Sequence, residues 1–347
     1  MTVDGVRVQA PGRAARWGKA TQRVVLLVAA LVVLYLFAPT LGEVLSSWPR
    51  LAHIDPAWIA VAVVAECLSI VCVWWLIALA LRAGHWFAIA TSQLAGHALS
   101  RVVPAGAAAG ATLQYRMLST SGIDAPAAGS ALTAVTLMQL ATLAAIPVLS
   151  LLLSLFGAPL SPGLQEAAWV GLGAFVLLVA VGAVLVLSDR AIIRIGIVIQ
   201  ALRNLVLRHH PPVTDLPQRL HAERDLVTRA LGKKWWEALL ASAGKWAFDY
   251  AALLASLAAV GARPDPGIVL LAYAAGAVLG MIPITPGGLG FVEAGLTGVL
   301  ALAGVPAGDA VLATLSYRLV SFWLPLPAGL TAYALFRWRN RGRLQEA

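Results

Sequence analysis

Apolar residues in this chain come in long runs, not in the three-or-four-residue rhythm of a half-buried soluble helix. The runs cover residues 24–38, 57–81, 127–156, 167–187, 235–260 and 310–336, to be set against the ~20 apolar residues with which a helix crosses a hydrocarbon core. The first follows a basic stretch (Arg7, Arg13, Arg16, Lys19, Arg23) and stops at Pro39. With no clean small-x-small cleavage site after it and further spans beyond, it reads as an uncleaved signal anchor.

Two segments depart from the pattern. Residues 86–118 are apolar but carry Gln93, His97, Arg101, Gln114 and Arg116, and are interrupted by Pro104, Gly106 and Gly110. Residues 268–303 split at Pro283, Thr285, Pro286, Gly287, Gly288 and Gly290. There two prolines remove backbone donors while glycines permit positive φ. The piece after that break, 291–303, is ~20 Å long as a helix, short of a ~30 Å hydrocarbon core. Residues 189–234 form the one extended polar region. It has an amphipathic start and a His209-His210-Pro211-Pro212 middle, and is expected to be a solvated or interfacial loop.

Composition excludes a soluble domain. Sixty per cent of the 347 residues are hydrophobic and 12% charged, the mean hydropathy is +0.83, and a soluble domain is roughly half apolar and a quarter charged. The net charge of +9, from 25 Lys and Arg against 16 Asp and Glu, would point to nucleic acid in a soluble chain. Here its distribution gives another reading. The N-terminal tail, the 189–234 loop and the C-terminal tail hold five, nine and four basic residues, eighteen of the 25, which places all three on the cytoplasmic side. No nucleic-acid partner is needed to account for the charge.

Parity then requires each broken segment to enter and leave on one side. The expected fold is an all-α polytopic bundle with six full crossings and two opposed re-entrant broken hairpins in inverted-repeat halves. Ten full spans with the same cytoplasmic ends are the alternative. The chain divides into a basic tail (1–23), a first membrane half (24–188), the basic loop (189–234), a second membrane half (235–336) and an arginine tail (337–347), in the inner or plasma membrane with both termini cytoplasmic.

Charges inside apolar runs cost about 2.5–3.5 kcal/mol each on insertion scales and need a reason. They are Glu66, Arg101, Arg116, Lys245, Asp249, Glu293 and Arg318. Lys245 lies about 15 Å into its run at 1.5 Å per residue, and Asp249 is one turn on, so the two can pair. Such a pair either secures a helix contact or serves a ligand. For Arg318 the partners are Glu293, Asp249 or a ligand anion, and its planar fork suits phosphate oxygens. The segment after Gly288 offers helix N–H groups toward the same charge. Arg101 and Arg116 flank the first break as a cationic vestibule or as interfacial anchors. The glycine spacings Gly106-x-x-x-Gly110 and Gly276-x-x-x-Gly280 suit close helix packing. Cys67 and Cys72 read as packing residues. No nucleophile with a His/Asp partner, no metal-ligand spacing and no nucleotide loop occurs, so neither metal nor cofactor is expected.

The stretch Pro283-Ile-Thr285-Pro286-Gly287-Gly288-Leu289-Gly290-Phe-Val-Glu293, followed by Gly304, Arg318-Leu-Val-Ser-Phe-Trp323 and Gly329, resembles the transmembrane region of lysylphosphatidylglycerol synthases, a family also described as flippase-like. The spacing from the break to the downstream Arg and Trp is kept over about 50 residues, and Trp246-x-x-Asp249 also fits. Arg101-Val-Val-Pro104 and Arg116 match more loosely. The resemblance implies a membrane domain that moves lipids or lipid-linked molecules between leaflets. In that family aminoacyl transfer belongs to a separate soluble domain, for which this chain leaves no room after its arginine tail, so that activity is not expected. The reading is a flippase-like protein for an anionic lipid, its headgroup held by Arg318, Lys245 and the N–H groups after Gly288. Two alternatives remain open. One is a membrane-embedded lipid transferase with Asp249 or Glu293 as base, and the other an anchor that docks a cytosolic protein through 189–234.

Overall fold

The computed structural model describes residues 54–82, 84–103, 106–154, 188–206, 232–281 and 285–342, with scattered positions between 166 and 225. The expected first span, most of the 167–187 span, the histidine-proline stretch, Pro104 and Pro283 lie outside the described residues. Those described form α-helices and short helical turns, with no strand among them. In order they are α1 (Pro56–Leu81), α2 (Trp86–Val102), α3 (Gly106–Thr120), α4 (Ala125–Ser154), α5 (Asp189–Val206), α6 (Trp235–Ala259), α7 (Pro266–Met281), α8 (Phe291–Leu302), α9 (Ala307–Arg318) and α10 (Pro325–Arg339). A 3-10 turn, Pro286–Gly288, separates α7 from α8, and a π-turn, Leu319–Trp323, joins α9 to α10. Among the described residues, three stretches, Pro56–Leu81, Ala125–Ser150 and Ala307–Arg339, are long and apolar enough to cross a membrane.

Helix α1 shows the logic of the bundle. Asp55 caps it by accepting from the Ala57 amide at 2.9 Å, Pro56 supplies a preset φ at its first position, and Arg82 ends it in the left-handed conformation. Its outer stripe is Val61, Val64, Leu68, Val71 and Trp75, all exposed, while Glu66 and Ser69 are buried. A soluble helix is apolar inside and polar outside. This one carries apolar residues on both faces and puts its only charge inward, which suits a lipid surround.

The buried apolar residues fall into two main groups. One gathers Ala62, Ala65, Leu253, Leu257, Val269, Leu296 and Leu300, the other Val73, Leu76, Ile77, Ile89, Leu118 and Ala238. Along both α1 and α6 the switch between groups is occupied by polar side chains: Glu66 and Ser69 on one, Ser242, Lys245 and Asp249 on the other. A polar layer is thus held between two apolar ones.

The contacts between helices are closed under exchange of halves. Helix α1 packs against α6, α10 against α2, and α4 against α7. The hairpin α2–α3 corresponds to α7–α8, the contact of α1 with α4 to that of α6 with α9, and α3 with α4 to α8 with α9. Repeated halves would produce this pattern. The depths agree as well: Glu66 lies ten residues beyond the start of α1, as Lys245 lies ten beyond the start of α6.

Residues 189–206, expected as part of a loop, are helical. The amphipathic spacing read at the start of the segment extends over the whole of α5, leaving Ile193, Ile197 and Val198 exposed along it. Asp189 at its start bonds Arg224 at 2.6 Å, and that guanidinium holds the exposed carboxyl below its ordinary range.

Candidate functional site

The two hairpins, α6 and α9 enclose a cavity of about 780 Å³. Its lining includes His97, Arg101 and Gly106 from the first hairpin, Tyr273, Thr285 and Gly287 from the second, Trp246 and Asp249 from α6, Tyr317 and Arg318 from α9, and Phe322 from the π-turn.

Asp249 is its most heavily bonded group. One carboxylate oxygen accepts from Lys245 Nζ at 3.0 Å and from the Tyr273 hydroxyl at 2.9 Å, and the other from the Tyr317 hydroxyl at 2.7 Å. Three donors from three helices compensate a carboxylate that is 9% exposed. The i,i+4 spacing on α6 aligns Lys245, and its ammonium also sits 3.2 Å from the centroid of the Trp246 ring. Trp246 is fixed in turn by donating to the Gln139 carbonyl and the Thr142 hydroxyl of α4, each at 3.1 Å.

Arg318 is held differently. Its Nε donates to Glu293 at 2.6 Å and its Nη2 to the Gly287 carbonyl at 3.1 Å, while the other Glu293 oxygen accepts from the Gly290 amide at 2.7 Å. Glu293 therefore caps α8 and neutralises Arg318 at once. The N-terminal charge of α8, expected to await an external anion, faces a carboxylate of its own chain. Gly287 has φ +59°, and a Cβ there would strike the Phe322 ring, so the turn requires glycine for both conformation and space.

Arg101, at the end of α2, donates to the main-chain carbonyl of Ser321. That acceptor is free for a sequence reason. Pro325 stands four residues later and has no N–H with which to complete a helical bond to Ser321. The chain responds with a π-turn in which Leu324 bonds to Leu319 at 2.9 Å. Arg101 and Arg318 both approach the Phe322 ring, at 5.1 and 4.4 Å from its centroid. They differ in that no carboxylate pairs with Arg101 among the described residues.

The structure brings together most of the residues selected from sequence. Arg101, Asp249, Arg318, Gly106, Thr285 and Gly287 line the cavity, Lys245 and Glu293 bond to lining residues, and Pro286, Gly288 and Gly290 shape the second break. Arg116 is exposed on α3 and does not line the cavity. Tyr273 and Tyr317 are not among those choices, and Glu66 is among them only as a charge within an apolar run, with no role assigned. Glu66 is 6% exposed, and its Oε2 is buried with no hydrogen-bond partner among the described residues.

Residues 23–329 match the family described as the lysylphosphatidylglycerol synthase TM region, and the chain belongs to that family. It is also 35% identical over 91 residues to a "UPF0104 membrane protein" of Methanothermobacter thermautotrophicus, a match spanning 26% of each chain.

Proposed function

We propose that the protein moves an anionic phospholipid, or a lipid-linked molecule with an anionic headgroup, between the leaflets of the cell membrane. The observation that carries this reading is Arg101: a guanidinium that no carboxylate pairs with among the described residues, facing a cavity within a bundle of apolar helices. Desolvating such a charge costs several kcal/mol, which an arriving phosphate offsets. The planar fork of Arg101 can donate to two phosphate oxygens, whereas Arg318 beside the same ring is already neutralised by Glu293. The headgroup crosses through the cavity while its tails stay in lipid. The two hairpins are re-entrant, the halves inverted, and the termini and the 189–234 segment cytoplasmic, as the basic residues predict. A transferase reading is weaker, because both oxygens of Asp249 and both of Glu293 already accept hydrogen bonds, which leaves neither poised as a base.

The test is leaflet exchange of labelled phosphatidylglycerol, cardiolipin and phosphatidylcholine in liposomes. Wild type is expected to accelerate exchange of the anionic lipids, and Arg101→Ala to lose most of that acceleration without loss of folding. Exchange no faster than in protein-free vesicles for every lipid would overturn the reading, and new lipid species by mass spectrometry would replace it with a transferase.

A further inference from the structure

Lys245, Arg318 and Arg101 each stand by an aromatic ring. Lys245 Nζ lies 3.2 Å from the centroid of Trp246, and the guanidinium carbons of Arg318 and Arg101 lie 4.4 and 5.1 Å from that of Phe322. A ring face attracts a cation through its quadrupole, most strongly where water is excluded. Lys245 and Arg318 each have a carboxylate as well, from Asp249 and Glu293. Arg101 has no carboxylate in a salt bridge among the described residues. Its Nη1 donates to the Ser321 carbonyl, while its Nε and Nη2 have no hydrogen-bond acceptor among the described residues.

Ser321 and Phe322 are consecutive in the π-turn, so one short segment supplies both groups that hold Arg101. Both are neutral. A carboxylate in their place would cancel the charge, as Glu293 cancels that of Arg318. A carbonyl dipole and a ring quadrupole steady the guanidinium and leave its charge in place. The ring is itself confined: Phe322 is 2% exposed, the Trp323 ring stands edge-on at 5.4 Å, and a Cβ on Gly287 would strike it. A long, flexible side chain held by so fixed a partner loses less freedom when a ligand arrives.

We infer that Phe322 is the positioning and specificity-determining residue of the anion site: its ring keeps Arg101 in the cavity without neutralising it, so that the site selects a phosphodiester headgroup with no ammonium of its own. This inference rests on the anion site of the transport reading, and it names what keeps that site open and which phosphodiesters it takes. When the hold of the ring weakens, the guanidinium leaves for other positions. Apparent affinity then falls with the fraction of molecules in which the fork stays in place.

The experiment replaces Phe322 in the full chain by mono-, di- and trifluorinated phenylalanine through nonsense suppression. Fluorine draws charge from the ring face but leaves an apolar ring of similar size, so the attraction for a cation fades stepwise while packing is kept. Affinity is read by calorimetric titration of the detergent-solubilised protein with short-chain phosphatidylglycerol, and with short-chain phosphatidylcholine for comparison. Affinity for phosphatidylglycerol is expected to fall with each fluorine, by about tenfold over the series. Phosphatidylcholine is expected to bind wild type at least about tenfold more weakly. Because Arg318 shares the ring, the series is repeated with Arg318→Met and Glu293→Leu together, where the same stepwise fall is expected. A flat series, affinity that rises with fluorine, a fall that vanishes once Arg318 is gone, or phosphatidylcholine bound as tightly as phosphatidylglycerol would each overturn the inference. The first two outcomes need only the single replacements, so the test holds even where the double variant fails to fold. The two readings fail separately: lipid exchange with a flat series removes only the role of Phe322, and wild type that binds no phosphatidylglycerol removes the anion site itself.

Discussion

The two hairpins have the same place in the contact pattern of the halves and solve the same problem with opposite chemistry. The first, α2–α3, closes by glycine against glycine: a Cβ on Gly96 would lie 2.7 Å from the Gly110 carbonyl, and one on Gly110 would strike that of Gly96. The second, α7–α8, turns through Gly287, Gly288 and Gly290, all at positive φ, and is locked by Arg318 on Glu293. One hairpin is shaped by packing and delivers a cation with which no carboxylate forms a salt bridge among the described residues. The other is shaped by a salt bridge and delivers a cation already neutralised. The comparison separates a charge kept for a ligand from a charge kept for the fold, although both face one cavity and one phenylalanine.

The sharpest way to break this contrast is to unpair the second hairpin. Glu293→Gln leaves Arg318 buried and uncompensated and is expected to destabilise the protein by about 3–5 kcal/mol, read as the unfolding transition in detergent. The double substitution Arg318→Met with Glu293→Leu should recover most of that loss, and a cycle in which the two effects simply added would contradict the assigned role. The first hairpin should instead be sensitive to bulk. Gly110→Leu forces overpacking of about 1–3 kcal/mol, whereas Gly276→Ala in the second, whose Cβ meets nothing nearer than 3.8 Å, should be neutral or slightly stabilising. Equal losses in the two would mean that the hairpins are built alike. The smallest effect on stability belongs to Pro325→Ala. Restoring an N–H lets the backbone compete with Arg101 for the Ser321 carbonyl, at a cost of under about 1 kcal/mol, yet it should slow anionic-lipid exchange by freeing the Arg101 fork.

What the sequence revealed depended on the distance over which each signal acted. Lys245 and Asp249 are one turn apart on one helix, and the i,i+4 rule suffices for them. The prolines and glycines of residues 283–290 declare a break by themselves. Glu66 stands out as a charge in an apolar run, but the helix that packs against its own, α6, is far along the chain, and no local rule pairs residues so far apart. Arg101 and Ser321 are as distant, although Pro325 four positions after Ser321 marks the carbonyl as unbonded. Arg116 shows how helix geometry corrects a reading made from position alone. Gly106, Gly110 and Met117 mark the buried face of α3, and Arg116 is offset from Met117 by ~100°. Residues 189–206 are legible as amphipathic, but the polar content of the wider 189–234 segment masks that periodicity.

The π-turn after Arg318 has one more consequence. Arg318 and Gly329 are eleven residues apart, and in an uninterrupted α-helix eleven residues return to within about 20° of the same bearing. Both would then point one way. The residue added between Leu319 and Leu324 turns the later segment by roughly a quarter revolution, so Arg318 addresses the cavity while Gly329 lies against the Leu94 carbonyl and Ala98 of α2. The last helix is a shaft with an indexed coupling: remove one residue from the coupling and its two ends can no longer meet their partners together.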